Sequence, residues 1–420
     1  MSTTDTQFLD DFAEMSTFGA TPGGGVDRQA GTAADHATRR WFGEWLERHG
    51  FQETVDEAGN QFGTIELVPG APYVLVGSHL DSQPLAGRYD GAYGVLAAAH
   101  ACARVAEQLR GTAEAPAYNL AVVNWFNEEG SRFAPSMMGS SVFTGKLPLA
   151  AALATTDAGG TDVSRALAAG HRTPDGNAPR LADVSHYAEI HIEQGRTLEE
   201  GGTEVGIVHG TWAASKYRVT VDGAQSHTGA TRMEDRRDAL YGAALVITAA
   251  RELTAEFEPG MLHTSVSEMN VLPNSPVTVA RQVVMNLDLR SPDEEVLARA
   301  VELLEKRMIG VGEISRTDIT LDLTHSWGLL GYQPDGVRLA RESAQHLGFS
   351  HAEVMTVAGH DSTNLKDVVP TVMLFVPSVE GISHNEAEYT RDDDALRGVR
   401  LLTDVTRRLV RGDLRQEEPS

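Results

Sequence analysis

From Gly77 to Gly94 the chain reads GSHLDSQPLAGRYDGAYG, directly after the apolar run Tyr73 to Val76. Its chemistry-bearing residues are His79, Asp81 and Asp90. Imidazole nitrogen and carboxylate oxygen are the atoms a hydrolytic divalent cation takes, and glycine lets a loop turn back towards a strand end. Three further polar clusters follow apolar runs: FNEEGSRF with Glu128 and Glu129, AEIHIEQG with His191 and Gln194, and SVEGISHNEAEY with His384. Singly, each has another reading. His79 and Asp81 also suit a hydrogen-bonded turn, and Glu128–Glu129 a solvated acidic turn. His191, between Ile190 and Ile192, also suits a structural histidine, and His384 a surface residue. Together His79, Asp90, Glu129, His191 and His384 make the nitrogen and oxygen set of a zinc or manganese hydrolytic centre. Two histidines and a carboxylate suffice for one open ion, and a set with a bridging aspartate suits two ions about 3.5 Å apart. Asp81 is placed to hold the His79 ring, and Glu128 is left over to act as a base.

Such a set needs elements that end at one place. Thr32 to His49 has helical apolar spacing and stops at Gly50. GTIELV, YVLVGS and YNLAVVNWF read as strands, and Gly91 to Arg110 as a buried helix ending at Gly111. Short apolar strands alternating with helices predict an α/β domain with a mixed, largely parallel sheet flanked by helices. In open α/β sheets sites gather at the carboxyl ends of strands, where these clusters fall. From Ala214 the order becomes strand (to Val221), helix (Arg237 to Glu256), strands near Met261 to Asn270 and Val277 to Leu289, helix (Asp293 to Arg307) and strand (Asp318 to Thr324). That is the ferredoxin-like β-α-β-β-α-β pattern, an α+β domain inserted in the first. The expected division is residues 1–211 and 327–420 for the metal-binding domain and 212–326 for the insert. The α/β pattern then resumes with a helix from Gly336 to Leu347, strands at Val354 to Val357 and TVMLFVP, and a last helix starting at Thr390, with Asp393 as a capping-box partner. GHRTPDGNAPR reads as a surface loop.

With 420 residues, 41% of them hydrophobic, the chain can bury a large core. A formal charge of -24 excludes nucleic acid as a partner, because phosphate binding needs a basic face. Cys102 is the single cysteine, so no intrachain disulfide forms and a reducing, cytoplasmic setting is expected. MSTTDTQFLDDFAEM has no basic flank before an apolar core, so no secretory signal is expected. The longest apolar tract, Val95 to Ala106, is too short to span a bilayer.

The motifs GSHLDSQPLAGRYDG, NEEGSRF, HIEQG, SHTGATRMEDRRDAL, AGHDS and GISHNEAEYT occur in that order. In them the chain resembles the metal-dependent carbamoylases: N-carbamoyl-L-amino-acid hydrolase, allantoate amidohydrolase and related ureido-acid hydrolases. These are a branch of the di-metal exopeptidases and deacylases, and the resemblance runs over nearly the whole chain. It implies hydrolysis of a linear amide C–N bond in a small ureido or amide substrate, with two divalent ions per subunit (zinc, manganese, cobalt or nickel). One ion would sit on His79, Asp90 and His191, the other on Asp90, Glu129 and His384, with Glu128 as general acid/base. It further implies that Gln194, His227, Asn270, Arg290 and Gly359 contact substrate. The insert would dimerise the protein and bring His227 of the partner subunit to the metals. On local grounds alone, Asn270 and Arg290 also suit strand-end or surface pairing, and His227 a hydrogen-bonded turn. Two positions depart from the family pattern: Thr356-Val357 replaces Ser-Gly before AGHD, and Arg232 stands where proline is usual. Both alter the surroundings of the substrate tail and leave the catalytic set complete. The alternatives are a di-metal N-acyl-amino-acid deacylase or dipeptidase, and a metal-containing binding protein without turnover; an unliganded Glu128 speaks against the last.

Overall fold

The computed structural model describes residues 3–110, 115–170, 174 and 176–414. It divides into two compact units, Met1–His209 with Tyr332–Ser420, and Gly210–Gly331. Of the expected GHRTPDGNAPR loop, residues 171–173 and 175 lie outside the described residues, as does the helix end expected at Gly111. Among the described residues no helix is long and apolar enough to cross a membrane.

The first unit is a mixed sheet with helices packed on it. Its strands run in the spatial order Gln52–Val55, Gln61–Ile65, Asn119–Trp125, Tyr73–His79, Val184–Ile192, Thr371–Val376 and Val205–Thr211. The three pairings among the four strands from Asn119–Trp125 to Thr371–Val376 are parallel, and the flanking pairings are antiparallel. Asn119–Trp125, Val184–Ile192 and Thr371–Val376 are buried along their whole length, which is why Leu120–Val123 and Val372–Val376 read as continuous apolar runs, while Val184–Ile192 buries Ser185, His186, Glu189 and His191 among its apolar residues. The alanine-rich helix Ala92–Arg110 and the helix Asp392–Val410 share one core with these strands, through residues such as Ala98, Val95, Val399 and Leu402. Cutting a fully buried leucine such as Leu402 back to alanine costs about 2–5 kcal/mol in such a core.

Four parallel strands leave the sheet in one direction. Register pairs His79 with Trp125 and Phe375 with His191, so His79, the Asn127–Glu129 turn, His191 and the loop beyond Val376 all emerge at one edge.

The second unit is antiparallel. Its strands lie in the order Asp318–Trp327, Ala213–Asp222, Gln282–Ser291, His263–Leu272. Numbered by sequence that is 4-1-3-2, with the helices Ala239–Leu253 and Glu294–Ser315 covering one face through Val246, Leu253, Leu304 and Met308.

Three details differ from the sequence reading. The second helix of this unit continues past Arg307 to Ser315, because Met308, Val311 and Ser315 are buried and hold the stretch despite Gly310 and Gly312. The strand expected over Val277 to Leu289 splits into Thr278–Val279 and Gln282–Ser291. The last helix starts at Asp392 with Arg391 at its N-cap, while the Thr390 hydroxyl donates to the Pro377 carbonyl instead of capping.

Candidate metal centre

His79 closes its strand and Asp90 ends the glycine-punctuated loop beyond it. The His79 Nδ1 atom lies 3.0 Å from the Asp81 carbonyl oxygen, and the His191 Nδ1 atom 2.9 Å from the Ile192 carbonyl oxygen. A carbonyl only accepts, so both Nδ1 atoms carry the proton and both Nε2 atoms are lone-pair donors when the rings are neutral. Those Nε2 atoms face one carboxylate oxygen: Asp90 Oδ1 is 3.5 Å from His79 and 3.0 Å from His191. The other oxygen, Asp90 Oδ2, is 3.1 Å from His384 Nε2, which in turn is 3.5 Å from Glu129 Oε2. Two groups thus form, His79–Asp90–His191 and Asp90–Glu129–His384, each with its ligand atoms within 4.8 Å of one another. Asp90 belongs to both.

Glu128 is buried, and its Oε2 is 3.5 Å from His79 Nε2. The Asp81 carbonyl takes the closer contact with His79 Nδ1, and its carboxylate Oδ1 lies 3.6 Å from the same nitrogen. The carboxylate also accepts from the main-chain N–H groups of Glu128 and Glu129, at 3.2 Å each. Asp81 therefore fixes the glutamate turn and the histidine together. Gln83 fixes Glu129, donating from its main chain at 3.1 Å and from its side chain at 2.9 Å to the two carboxylate oxygens.

The electrostatics are those of a negative cluster taken out of water. Burial pushes Glu128 well above the usual carboxylate range; His79 opposes this, and Asp361 and Glu129 add to it. Burial and the nearby Asp90 carry Glu129 up to about 7, against the pull of His384. Burial would raise Asp90 as well, but His191, His384 and His79 overcome it and hold it well below the ordinary value. The hydrogen bond to Asp90 lifts His384 to about 9. Divalent cations on these atoms would reverse that balance and keep the carboxylates ionised. The lone-pair tautomers and the shared carboxylate fit such cations.

The glycines act where the opening motif needs them. Gly91 has φ +62°, and a Cβ there would lie 2.3 Å from the His79 ring. Its N–H donates to His191 Nε2 at 3.0 Å.

The family model described as Peptidase family M20/M25/M40 matches residues 75–408, which span every residue of both groups. The chain belongs to this family. A Mycolicibacterium smegmatis protein is 54% identical to this M20/M25/M40 chain over 98% of its length and 94% of the relative's own. An N-carbamoyl-L-amino-acid amidohydrolase from Rhizobium meliloti is 34% identical over 94% of this chain and 93% of its own. The crystal structure of a hydantoinase/carbamoylase family amidase from Burkholderia vietnamiensis superposes with a TM-score of 0.89 at 34% identity, covering 97% of each chain.

The remaining expected site residues of this M20/M25/M40 protein fall in several places. Gln194, at φ +59°, donates from its amide to Asp90 Oδ2 at 2.8 Å, and its buried Oε1 has no partner among the described residues. Gly359 is exposed beside Met137, whose Cε would lie 3.3 Å from an added Cβ. Thr356 is buried and donates to the Ala358 carbonyl, while Val357 is half-buried. Arg232 is exposed and 3.6 Å from Glu234.

His227, Asn270 and Arg290 belong to the second unit. His227 is exposed, and its Nδ1 accepts from the N–H groups of Gly229 and Ala230 at 3.0 and 3.1 Å, so a neutral ring carries its proton on Nε2. Asn270 and Arg290 lie on the sheet face that the helices leave open. There Arg290 Nη2 donates to Asp288 Oδ2 at 2.7 Å, and the Asn270 amide lies 3.5 Å from Glu268 Oε1.

Gln83, Glu388 and Asp361 were not singled out from sequence. Gln83 and Glu388 lie inside quoted motifs, but spacing does not separate them from their polar neighbours. Asp361 follows His360 in AGHDS, and only its full burial near Glu128 marks it.

Proposed function

We propose that the protein is a metal-dependent amidohydrolase that removes the carbamoyl group from an N-carbamoyl amino acid or a related ureido acid. The observation that carries this is Asp90, shared by two ligand groups with the unshared Glu128 carboxylate beside them. The similarity to carbamoylases over nearly the whole chain supports the substrate class. Two divalent ions, held by His79, Asp90 and His191 and by Asp90, Glu129 and His384, would supply an acidified water and polarise the scissile carbonyl. Glu128, ionised beside the cations, takes the proton of the attacking water and delivers it to the leaving nitrogen; its burial makes the carboxylate a stronger base. Gln194 offers its unpaired Oε1 to a substrate N–H. His227 presents its Nε2–H to the developing oxyanion, and Arg290 and Asn270 receive the substrate carboxylate end. The second unit dimerises the protein, and His227 serves the neighbouring subunit's centre. Thr356-Val357, in place of Ser-Gly, alters the seat of the substrate carboxylate, so ureido acids other than the standard N-carbamoyl-α-amino acids are included in the substrate class.

The test is ammonia release. A panel of N-carbamoyl amino acids, other ureido acids, N-acyl amino acids and dipeptides is supplied with zinc, manganese, cobalt or nickel. Ureido substrates should give one ammonia per amine product. Faster turnover of acyl amino acids or dipeptides, which release no ammonia, would replace this reading with the deacylase or dipeptidase one.

A further inference from the structure

Glu388 lies four residues beyond His384, in the same loop, and is buried. The base of that loop is closed by the Val379 N–H donating to the Tyr389 carbonyl at 2.9 Å. From there the Glu388 side chain turns back to the other loop of the centre. Its Oε1 accepts from two consecutive main-chain N–H groups, those of Tyr89 at 2.9 Å and Asp90 at 3.0 Å. Its Oε2 is 2.9 Å from the Ser383 hydroxyl, which is also 3.2 Å from Asp90 Oδ2. Gly87 makes room for it: a Cβ at that position would lie 2.1 Å from the Glu388 carboxyl carbon.

One carboxylate therefore fixes the Asp90 backbone, while the single Ser383 hydroxyl proton lies between Glu388 Oε2 and Asp90 Oδ2. It also joins the segment carrying Asp90 to the segment carrying His384. We infer that Glu388 is a positioning residue of the centre, clamping the shared ligand Asp90 to the His384 loop so that both ligand groups are set at once. The inference rests on the two-ion reading above and adds to it a residue that touches neither ion. Loss of such an outer partner lowers metal affinity about 10–100-fold. Because Asp90 is common to both groups, the loss should fall on both ions, unlike the loss of a ligand that serves only one.

Glu388→Ala and Glu388→Gln separate positioning from simple packing. The glutamine keeps an acceptor for the Tyr89 and Asp90 N–H groups, and its amide can donate to Ser383 Oγ, leaving the single hydroxyl proton for Asp90 Oδ2. Two readouts are taken on folded protein. Hydrogen exchange on metal-free protein should show the Tyr89 and Asp90 amides losing protection in Glu388→Ala and keeping it in Glu388→Gln. Chelator-competition titrations with zinc should show both binding steps weakened about 10–100-fold in Glu388→Ala and within about threefold of wild type in Glu388→Gln. If Glu388→Ala does not fold, Ser383→Ala, which removes the side-chain link together with the Gln194 amide contact at 3.0 Å, should weaken both steps by at least about fivefold, the worth of one hydrogen bond. Unchanged affinities in folded Glu388→Ala, or in Ser383→Ala if that variant must stand in, would overturn the inference. So would protected Tyr89 and Asp90 amides in Glu388→Ala. A wild-type protein that takes up no zinc would instead overturn the two-ion reading, while the exchange experiment still decides whether Glu388 holds the Asp90 backbone.

Discussion

Gly91→Ala is a small change with a large expected effect. A Cβ at this position would meet His79 Cε1 and Nε2 at 2.3 Å and Cδ2 at 2.5 Å. To reach the 3.4 Å of an ordinary contact, the ring must retreat by about 1.1 Å. Ligand positions in a metal site are held to within about 0.2 Å, so the first group loses His79 as a usable donor. The backbone adds a second cost, because φ is +62° and a left-handed alanine costs about 1–2 kcal/mol. Gly202→Ala isolates that second cost: its φ is +60° and, among the described residues, nothing lies within 4 Å of an added Cβ. Both variants should therefore lose about 1–2 kcal/mol of stability through the backbone, with about 1–3 kcal/mol more in Gly91→Ala from overpacking. Only Gly91→Ala should lose tight metal, with affinity at the first group falling by more than about 100-fold, beyond the usual effect of an outer partner. Urea unfolding of metal-free protein, metal content after dialysis and turnover are measured on both. Wild-type metal content and turnover in Gly91→Ala would refute the placement of His79 as a ligand.

Glu128→Gln should keep the metal and the fold but lower kcat by at least about 100-fold; near-normal turnover would mean another group moves the proton. His186 is fully buried with Nε2 on the Leu414 carbonyl at 2.8 Å, and burial pulls it down to about 4 from 6.5. The folded state thus holds it neutral, so its contribution is present above pH 6.5 and is lost as pH falls towards 4. Between about pH 7.5 and about pH 5 wild type should lose about 2 kcal/mol more than His186→Gln in urea unfolding; equal losses would refute this. Co-expressed Glu128→Ala and His227→Ala should recover about a quarter of wild-type activity, since about half of random dimers are mixed and each has one site with both groups intact. Confirmed mixed dimers without rescue would exclude action of His227 across the dimer.

Much of this was legible because the chemistry is periodic with the fold. Apolar runs gave the strands, and the polar clusters immediately after them gave His79, Glu129 and His191 at one sheet edge. The β-α-β-β-α-β order of the second unit was legible for the same reason. Tertiary contacts were not. The helix expected to end at Arg307 runs on to Ser315, carried by buried Met308 and Val311. Thr390 looks like a cap, but the Pro377 carbonyl takes its hydroxyl. The way Asp81 acts, by carbonyl on His79 and by carboxylate on the glutamate turn, depends on which atoms face which strand end. Glu388 was hidden for a similar reason: its partners Tyr89 and Asp90 lie about 300 residues earlier in the chain.

The central claim is that Asp90 serves two ions at once. Metal equivalents retained after gel filtration, measured on folded wild type, His384→Ala and Asp90→Ala, test it most directly. Two equivalents in wild type, at most one in His384→Ala and none held tightly in Asp90→Ala is the predicted result. A full equivalent or more in Asp90→Ala would contradict it, because a cation would then be held without the shared carboxylate.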